Sequence, residues 1–553
     1  MASNLSVFLA ELKRRKVYQV AAVYVVVGFT VASVAQYIFD MLGFPLAAAR
    51  FVAILIILGL PVALVLAWAY EVRPEEPPVI AGDPASVSEI LEGDSRQSIA
   101  VLPFANMSDE AENEYFSDGM TEEIINALAQ LEDLRVAART SSFAFKGTSP
   151  DLAEVSTKLK VATVLEGSVR KAGDHLRITA QLIDASSGYH LWSERYDRKL
   201  EDVFAIQDDI ATAIADKLQV TLAAGTRQPL VGPTTENLEA YDLYLRGRFL
   251  VTQGGESPRM GLEYFQRALA TDPQYALAHA GVAEAYHWLG ATGISRPRDV
   301  LPKARQAAMR ALELDETLPE AHFQLGLLAW AYDFEWSKAE EHLLKALELN
   351  PDLPQVHSLY GFFLASMGRS EESLSSLLRG VQLDPLCQIA HTWFGQVLAW
   401  LRRFPEAIDR LRTALELNPT SWHANQILGM AYRLNADYSE AIEALETAIT
   451  VAGRHPWSVM ELGLTYLASG RTSQGEAIYD ELSSRWSREY VPPTNLSFLS
   501  GALGRVDEAF QWLERAYDER DTLMTWVKLL PHFDPLRDDP RYSRVLEKMG
   551  LEA

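Results

Sequence analysis

One repeating unit of this chain reads Gly395-Gln-Val-Leu-Ala-Trp-Leu-Arg-Arg-Phe-Pro-Glu-Ala-Ile-Asp-Arg-Leu-Arg-Thr-Ala-Leu-Glu-Leu-Asn-Pro419. Its glycine recurs as Gly326, Gly361, Gly395, Gly429 and Gly463. A small residue recurs every 34 positions, as Ala339, Ser373, Ala407, Ala441, Gly475 and Ala509. A Leu-Asn-Pro or Leu-Asp-Pro triplet closes several units at the same interval, and proline cannot continue the preceding helix. The interval therefore predicts a series of helix pairs.

This period and these small positions resemble the tetratricopeptide repeat. The small residues let two antiparallel helices approach closely, and we expect leucines to fill the space beside them, namely Leu343, Leu377, Leu411 and Leu445. One pair alone leaves an apolar face exposed, whereas stacked pairs cover it. We therefore predict a tetratricopeptide superhelix of about eight repeats over residues 236–530. Residues 531–553 are predicted to form a C-terminal cap helix.

Residues 98–222 alternate short β-type runs with helical patterns, which predicts a small α/β domain. Apolar and polar residues alternate over residues 176–182, so this strand should have one buried face. Gly173 and Asp174 provide the turn before it. We predict that Thr121 caps a helix and that Ser117, Asp118 and Gly119 form a turn before this helix.

The α/β domain also carries four ordered blocks of sequence. They read Ser98-Ile-Ala-Val-Leu-Pro-Phe-Ala-Asn-Met-Ser, Tyr115-Phe-Ser-Asp-Gly-Met-Thr-Glu-Glu-Ile, Val164-Leu-Glu-Gly-Ser-Val-Arg and Leu191-Trp-Ser-Glu-Arg-Tyr-Asp. These blocks resemble the TolB amino-terminal-like (FlgO-like) domain of bacterial membrane regulators and of some class III adenylate cyclases. The resemblance brings no catalytic motif with it. We expect this chain to lack both the cyclase catalytic domain and the winged helix of the transcription activators.

Two apolar runs, residues 17–41 and 51–70, are each long enough for a membrane-crossing helix of about 20 residues. The connection between them is short, so we predict a transmembrane hairpin over residues 17–71 that contacts the lipid bilayer through residues 17–70. Residues 1–16 end in four basic residues, and the positive-inside rule places them in the cytoplasm. Two crossings would return the soluble domains to the cytoplasmic side of a bacterial inner membrane. A periplasmic location is the alternative, as in the transcription activators that this chain resembles.

Proline-rich and glycine-containing stretches predict linkers at residues 72–97 and 223–235. The formal net charge of -24 argues against nucleic acid as a partner, because phosphate binding needs clustered basic residues. Cys387 is the single cysteine, so no intrachain disulfide can form. We predict no cofactor, and the oligomeric state is left open.

Four histidines stand at equivalent places in successive repeats, namely His279, His322, His357 and His391. Helix axes pack about 8–10 Å apart, whereas zinc needs its nitrogen ligands at about 2.0 Å. These histidines are therefore predicted to be packing residues and not a metal site.

The first helices of such repeats line a concave groove. By resemblance to the tetratricopeptide family, its residues here are Phe323, Trp330, Phe362, Gln396, Trp400, Met430, Arg433, Trp457 and Met460. Most of them are apolar or aromatic, whereas receptors for chaperone tails use Lys and Asn at these positions. The groove is therefore predicted to bind an amphipathic helix or an apolar peptide. The alternative is that these side chains belong to the core.

The sequence contains none of the common hydrolase, phosphate-binding or dinucleotide-binding motifs. We predict no catalytic residues and a non-enzymatic role. The leading hypothesis is a membrane-anchored scaffold or sensory adaptor that binds a protein partner. Two alternatives stay open: an accessory structural subunit of a membrane complex, and the regulatory half of a cyclase-type signalling system.

Overall fold

A computed structural model describes residues 97–108, 113–131, 133–148, 150–218, 235–251 and 257–551. All of them belong to one compact unit. The predicted transmembrane hairpin and nearly all of both predicted linkers lie outside the described residues. Among the helices of the described part of the chain, none has the length and apolar composition that a bilayer crossing requires.

The α/β domain is built on a six-stranded sheet. Its strands are β1 (Gln97–Val101), β2 (Ala105–Asn106), β3 (Leu134–Val136), β4 (Thr163–Ala172), β5 (His175–Asp184) and β6 (His190–Lys199). Their order is β3-β1-β4-β5-β6, and β2 also pairs with β4. Strand β1 runs parallel to β3 and β4, whereas β4, β5 and β6 form an antiparallel meander. The alternation predicted for β5 is confirmed, because Leu176, Ile178, Ala180 and Leu182 are fully buried.

Four helices accompany the sheet: α1 (Glu114–Ala129), α2 (Arg139–Phe143), α3 (Leu152–Leu159) and α4 (Val203–Lys217). The start of α1 corrects a prediction. Ser117, Asp118 and Gly119 lie inside this helix and not in a turn. Thr121 is not a cap, since its hydroxyl donates to the carbonyl of Ser117 and accepts from the Phe104 N–H. The helix starts early because its first two turns are buried against neighbouring elements.

Sixteen helices follow in eight antiparallel pairs within the described residues. They are α5 (Leu238–Val251), α6 (Ser257–Thr271), α7 (Ala276–Ala291), α8 (Pro297–Leu314), α9 (Pro319–Leu328), α10 (Trp336–Leu349), α11 (Pro354–Ser366), α12 (Ser370–Leu383), α13 (Gln388–Trp400), α14 (Phe404–Leu417), α15 (Trp422–Leu434), α16 (Tyr438–Ala452), α17 (Pro456–Ala468), α18 (Thr472–Arg485), α19 (Pro493–Ala502) and α20 (Val506–Asp518). A π-helical turn, Ala329–Asp333, extends α9. The chain ends in two 3₁₀ helices, Thr522–Trp526 and Pro531–Leu536, and in α21 (Pro540–Lys548). The predicted helical solenoid with a small sheet domain is confirmed.

Four of the five recurring glycines work as predicted, because each lies against the leucine of its own pair. The fifth, Gly463, lies against Ile478 and Leu499. A Cβ atom added at Gly429 would lie 2.5 Å from Leu445 Cγ and 3.1 Å from the Ala441 carbonyl oxygen. Gly361 and Gly395 face Leu377 and Leu411 in the same way. The two helices of a pair can therefore approach this closely only where the side chain is missing.

Replacing Gly429 by alanine is expected to destabilise the array by about 1–3 kcal/mol, because a buried leucine and a backbone carbonyl must both move. The urea midpoint of the full chain measures this change. Thr447→Ala is the matched control, since Thr447 is exposed on the same helix pair. This substitution should change the free energy of unfolding by less than about 0.5 kcal/mol. A G429A chain as stable as this control would contradict the packing account.

The α/β domain and the first repeats share one hydrophobic core. Phe116 and Met120 of α1 belong to the same buried cluster as Tyr241 and Phe265 of the first pair. Gln207 of α4 also donates a hydrogen bond of 3.0 Å to the Tyr241 hydroxyl. The sheet domain is therefore fixed on the first end of the array.

Candidate functional site

The nine predicted groove residues lie on the first helices of successive pairs, α9, α11, α13, α15 and α17, and on the π-helical turn after α9. From α11 to α17, neighbouring first helices contact one another. We call the surface formed by these nine residues the inner face. The structure brings its aromatic members together, since the ring centroids of Phe362 and Trp400 are 5.5 Å apart.

Most of the inner face is covered. Six of its residues are only 2% to 5% exposed: Phe323, Trp330, Phe362, Trp400, Met430 and Met460. Gln396, Arg433 and Trp457 keep partial exposure. The face is therefore not an open groove in this structure, and both predicted roles, peptide contact and core packing, meet in the same side chains.

A segment of the same chain, residues 521–551, covers the inner face. We call it the C-terminal segment. Its Trp526 ring lies 5.5 Å from that of Trp330, 5.9 Å from that of Phe362 and 5.2 Å from that of Trp400, centroid to centroid. These edge and tilted arrangements are favourable for aromatic rings.

Asp521 fixes the start of the C-terminal segment. One of its carboxylate oxygens accepts hydrogen bonds from the N–H and the hydroxyl of Thr494, at 3.0 and 2.7 Å. The other oxygen accepts from the N–H of Leu523, which caps the first 3₁₀ helix. Burial raises the pKa of Asp521 despite these hydrogen bonds. The segment is thus tied to α19 before it enters the inner face.

A buried polar cluster holds the second 3₁₀ helix. Glu461 of α17 accepts from Arg433 Nη2 at 2.9 Å and lies 2.5 Å from His532 Nε2. The Glu461 and His532 side chains are only 2% and 3% exposed. Burial alone would raise the pKa of Glu461, but Arg433 and His532 outweigh it and hold the pKa at about 2. We call these three residues the carboxylate cluster.

Acid is expected to weaken this attachment. The pKa of Glu461 falls from an ordinary 4.5 to about 2 on folding. Its contribution to the free energy of unfolding is therefore complete above pH 4.5 and is lost as the pH falls toward 2. Urea midpoints measured between pH 5 and pH 3 should therefore decrease more steeply for the wild type than for Glu461→Gln. Equal slopes in the two chains would contradict the assigned charge state.

The end of the C-terminal segment reaches back along the array. Phe533 packs between Phe498 and Tyr542, with ring centroids 4.8 and 5.9 Å away. Farther on, Trp336 Nε1 of α10 donates a hydrogen bond of 2.8 Å to the carbonyl oxygen of Met549. The residues predicted to form a cap thus join the last helix pair to the third one.

The four repeat histidines have a local structural role. Each Nε2 lies near a backbone carbonyl oxygen six positions earlier: His279 near Pro273, His322 near Glu316, His357 near Pro351 and His391 near Pro385. These contacts, from 2.8 to 3.4 Å, fasten the turn that precedes each first helix. Within the described residues, no group of three or more potential ligands is placed to hold a metal ion.

The junction with the α/β domain is a second polar site. Arg248 of α5 donates to Glu122 at 2.9 Å and to Glu284 at 2.5 Å. Arg139 also contacts Glu122 at 2.9 Å. Burial would raise the pKa of Glu122, but the two arginines outweigh it and hold the pKa at about 2. These contacts fix the orientation of α1 on the array.

Three residues at this site were not predicted from the sequence: Glu461 of α17, and Trp526 and His532 of the C-terminal segment that covers the inner face. Glu461 had a signal, since it is charged where the two preceding repeats carry Ile427 and Trp393. Trp526 lies after the last repeat, outside the 34-residue register. The arrangement offers aromatic faces and one buried carboxylate, which are contacts for recognition.

Comparison with known families gives two matches. Residues 394–456 match the tetratricopeptide repeat family. Residues 95–213 match the family described as HilA/YgeH-like transcriptional regulator, second domain. This second match covers the α/β domain, where the likeness to TolB-type domains remains a prediction.

One curated relative is Putative adenylate cyclase 3 of Rhizobium meliloti (strain 1021), which is 42% identical over 271 residues. The match takes in 48% of this chain and spans 44% of that relative. The chain thus corresponds to less than half of the relative's length.

Solved structures with a similar fold include pilF of Pseudomonas aeruginosa, with 19% identity, a TM-score of 0.31 and coverage of 39% of this chain and 94% of that one. Another is YrrB, a TPR protein with an unusual peptide-binding site, with 22% identity, a TM-score of 0.25 and coverage of 35% and 95%. TM-scores this low give no basis for assigning a ligand here. The repeat match and the helix pairs identify a tetratricopeptide repeat region, and repeats of this class imply protein–protein interaction.

Proposed function

We propose that this chain is a membrane-anchored scaffold or sensory adaptor that binds a protein partner through the inner face. The observation that carries the proposal is that this face already holds a peptide segment by aromatic contacts and a buried carboxylate. The anchor at residues 17–71, the TolB-like identity of the α/β domain and a cytoplasmic location at a bacterial inner membrane rest on the sequence alone.

The partly exposed Gln396 gives a direct test. A photo-crosslinking amino acid placed there in the full chain, in intact membranes, should capture a discrete partner. The matched control is the same group at Leu344, which is exposed on the second helix of another pair and should capture none. The same products from both positions, or none from Gln396 in either the wild type or a folded Trp526→Ala chain, would reject this function.

A second candidate is the regulatory half of a cyclase-type signalling system. It is favoured by the sequence similarity to the Rhizobium meliloti protein, 42% identity over 271 residues. The test is cyclic AMP formation by a class III cyclase catalytic domain, with and without the full chain. A changed rate supports this candidate. An unchanged rate, with no turnover by the chain alone, removes it.

A further inference from the structure

The C-terminal segment lies on the inner face as a bound peptide would. It has no regular helix over its first part, only two short 3₁₀ helices. Its apolar side chains point into the core, with Met524, Val527, Leu530, Phe533 and Leu536 at most 3% exposed. Apolar burial is therefore what holds it in place.

Buried polar groups between the C-terminal segment and the inner face oppose the binding of the segment. Trp526 Nε1, Trp400 Nε1 and His532 Nδ1 are buried and have no hydrogen-bond partner within the described residues. Water could satisfy these atoms once the segment leaves, so their burial favours release. The Arg433–Glu461 pair joins α15 to α17 within the array, so it does not itself hold the segment.

The segment is joined to the array at a point where the chain can turn. Helix α20 ends at Asp518, and Arg520 adopts a φ of 56°, in the left-handed region. This connection lies after the last helix pair. Once the hydrogen bonds between Asp521 and Thr494 break, rotation about a few bonds here would move the segment and leave the eight pairs intact, as at other loop hinges.

We propose that the C-terminal segment is an autoinhibitory ligand that the chain supplies to its own inner face. Its release as a unit exposes Trp330, Phe362, Trp400 and Glu461. The partner that takes its place, which rests on the proposed function, has matching chemistry. It carries an aromatic side chain for the ring cluster and, at the spacing that separates Trp526 from His532, an imidazole or cationic group for Glu461.

Hydrogen exchange of the full chain tests the release. In the wild type, residues 521–536 should exchange through an opening that leaves the outer helices α12, α14 and α16 protected. Trp526→Ala should speed exchange in the segment and on the inner face about tenfold or more, with the outer helices unchanged. Lys528→Ala is the matched control, because Lys528 is an exposed residue of the same segment and should change exchange less than about twofold.

A peptide supplied in trans tests the chemistry. A labelled peptide of residues 519–551 should bind the W526A chain at least about tenfold more tightly than the wild type, whose own segment competes. The same peptide carrying the W526A change should bind neither chain.

Three results would overturn the proposal. One is that the segment and the outer helices lose protection from hydrogen exchange together in the wild type. Global unfolding of W526A counts as the same result, because in both cases the segment is part of one core with the array. Another is failure of the peptide to distinguish the two chains. The third is that the chain has twice its monomer mass in solution while the segment stays protected from exchange. The segment on each inner face would then come from a second copy of the chain. None of these needs an external partner, so failure to capture a partner through Gln396 would be a separate result.

Discussion

Replacing Arg433 by alanine is expected to destabilise the array by about 3–5 kcal/mol, because the change leaves Glu461 buried and without its main counter-charge. Arg433 donates from both Nε and Nη2 to Glu461 Oε2, at 3.1 and 2.9 Å. The carboxylate is 2% exposed, so water cannot easily replace the guanidinium. Thermal and urea unfolding of the full chain measure the loss, and the C-terminal segment should lose protection first.

The matched control is Arg412→Ala. Arg412 is 60% exposed and lies 3.9 Å from Asp409, so its removal should cost at most about 1 kcal/mol. Replacing Arg433 and Glu461 by leucine and His532 by phenylalanine should destabilise less than R433A alone, since no charged group of the cluster is then left buried without its partner. If R433A and R412A have the same stability, the carboxylate cluster is not the buried ion pair described above.

The array could be predicted from sequence because its determinants are local and repeated. Each helix pair needs a small residue such as Gly429 and a leucine such as Leu445 at fixed separation, and the structure places them in contact. The alternation over β5 is equally local. Periodicity of this kind can be recognised in the sequence without knowledge of the tertiary fold.

What covers the inner face could not be predicted in the same way. The contact between Trp526 and Trp330 joins residues almost two hundred positions apart, and no periodic pattern relates them. The groove positions were inferred from the first helices alone. The sequence therefore could not decide whether these side chains form an exposed peptide site or belong to the core. The start of α1 was missed for a related reason, since tertiary burial extended the helix beyond its local signals.

Replacing Phe265 by alanine is expected to destabilise the first two helix pairs of the array by about 3–5 kcal/mol. Phe265 of α6 is fully buried, and its ring fills the space that glycines leave on both neighbouring helices. A Cβ atom would lie 2.5 Å from this ring if added at Gly247 and 2.7 Å if added at Gly281. Because two backbones are already close to the ring, they can collapse only partly into the cavity that its loss creates.

A double-mutant cycle separates this fit from general loss of apolar area. Gly247→Ala alone should cost about 1–3 kcal/mol by overpacking against the ring. The double variant G247A/F265A should cost less than the sum of the two single changes, since the new methyl group occupies part of the vacated space. Met260→Ala, at a 47% exposed position of the same helix, should stay within about 0.5 kcal/mol of the wild type. Strict additivity in this cycle would show that the ring and Gly247 do not share one space.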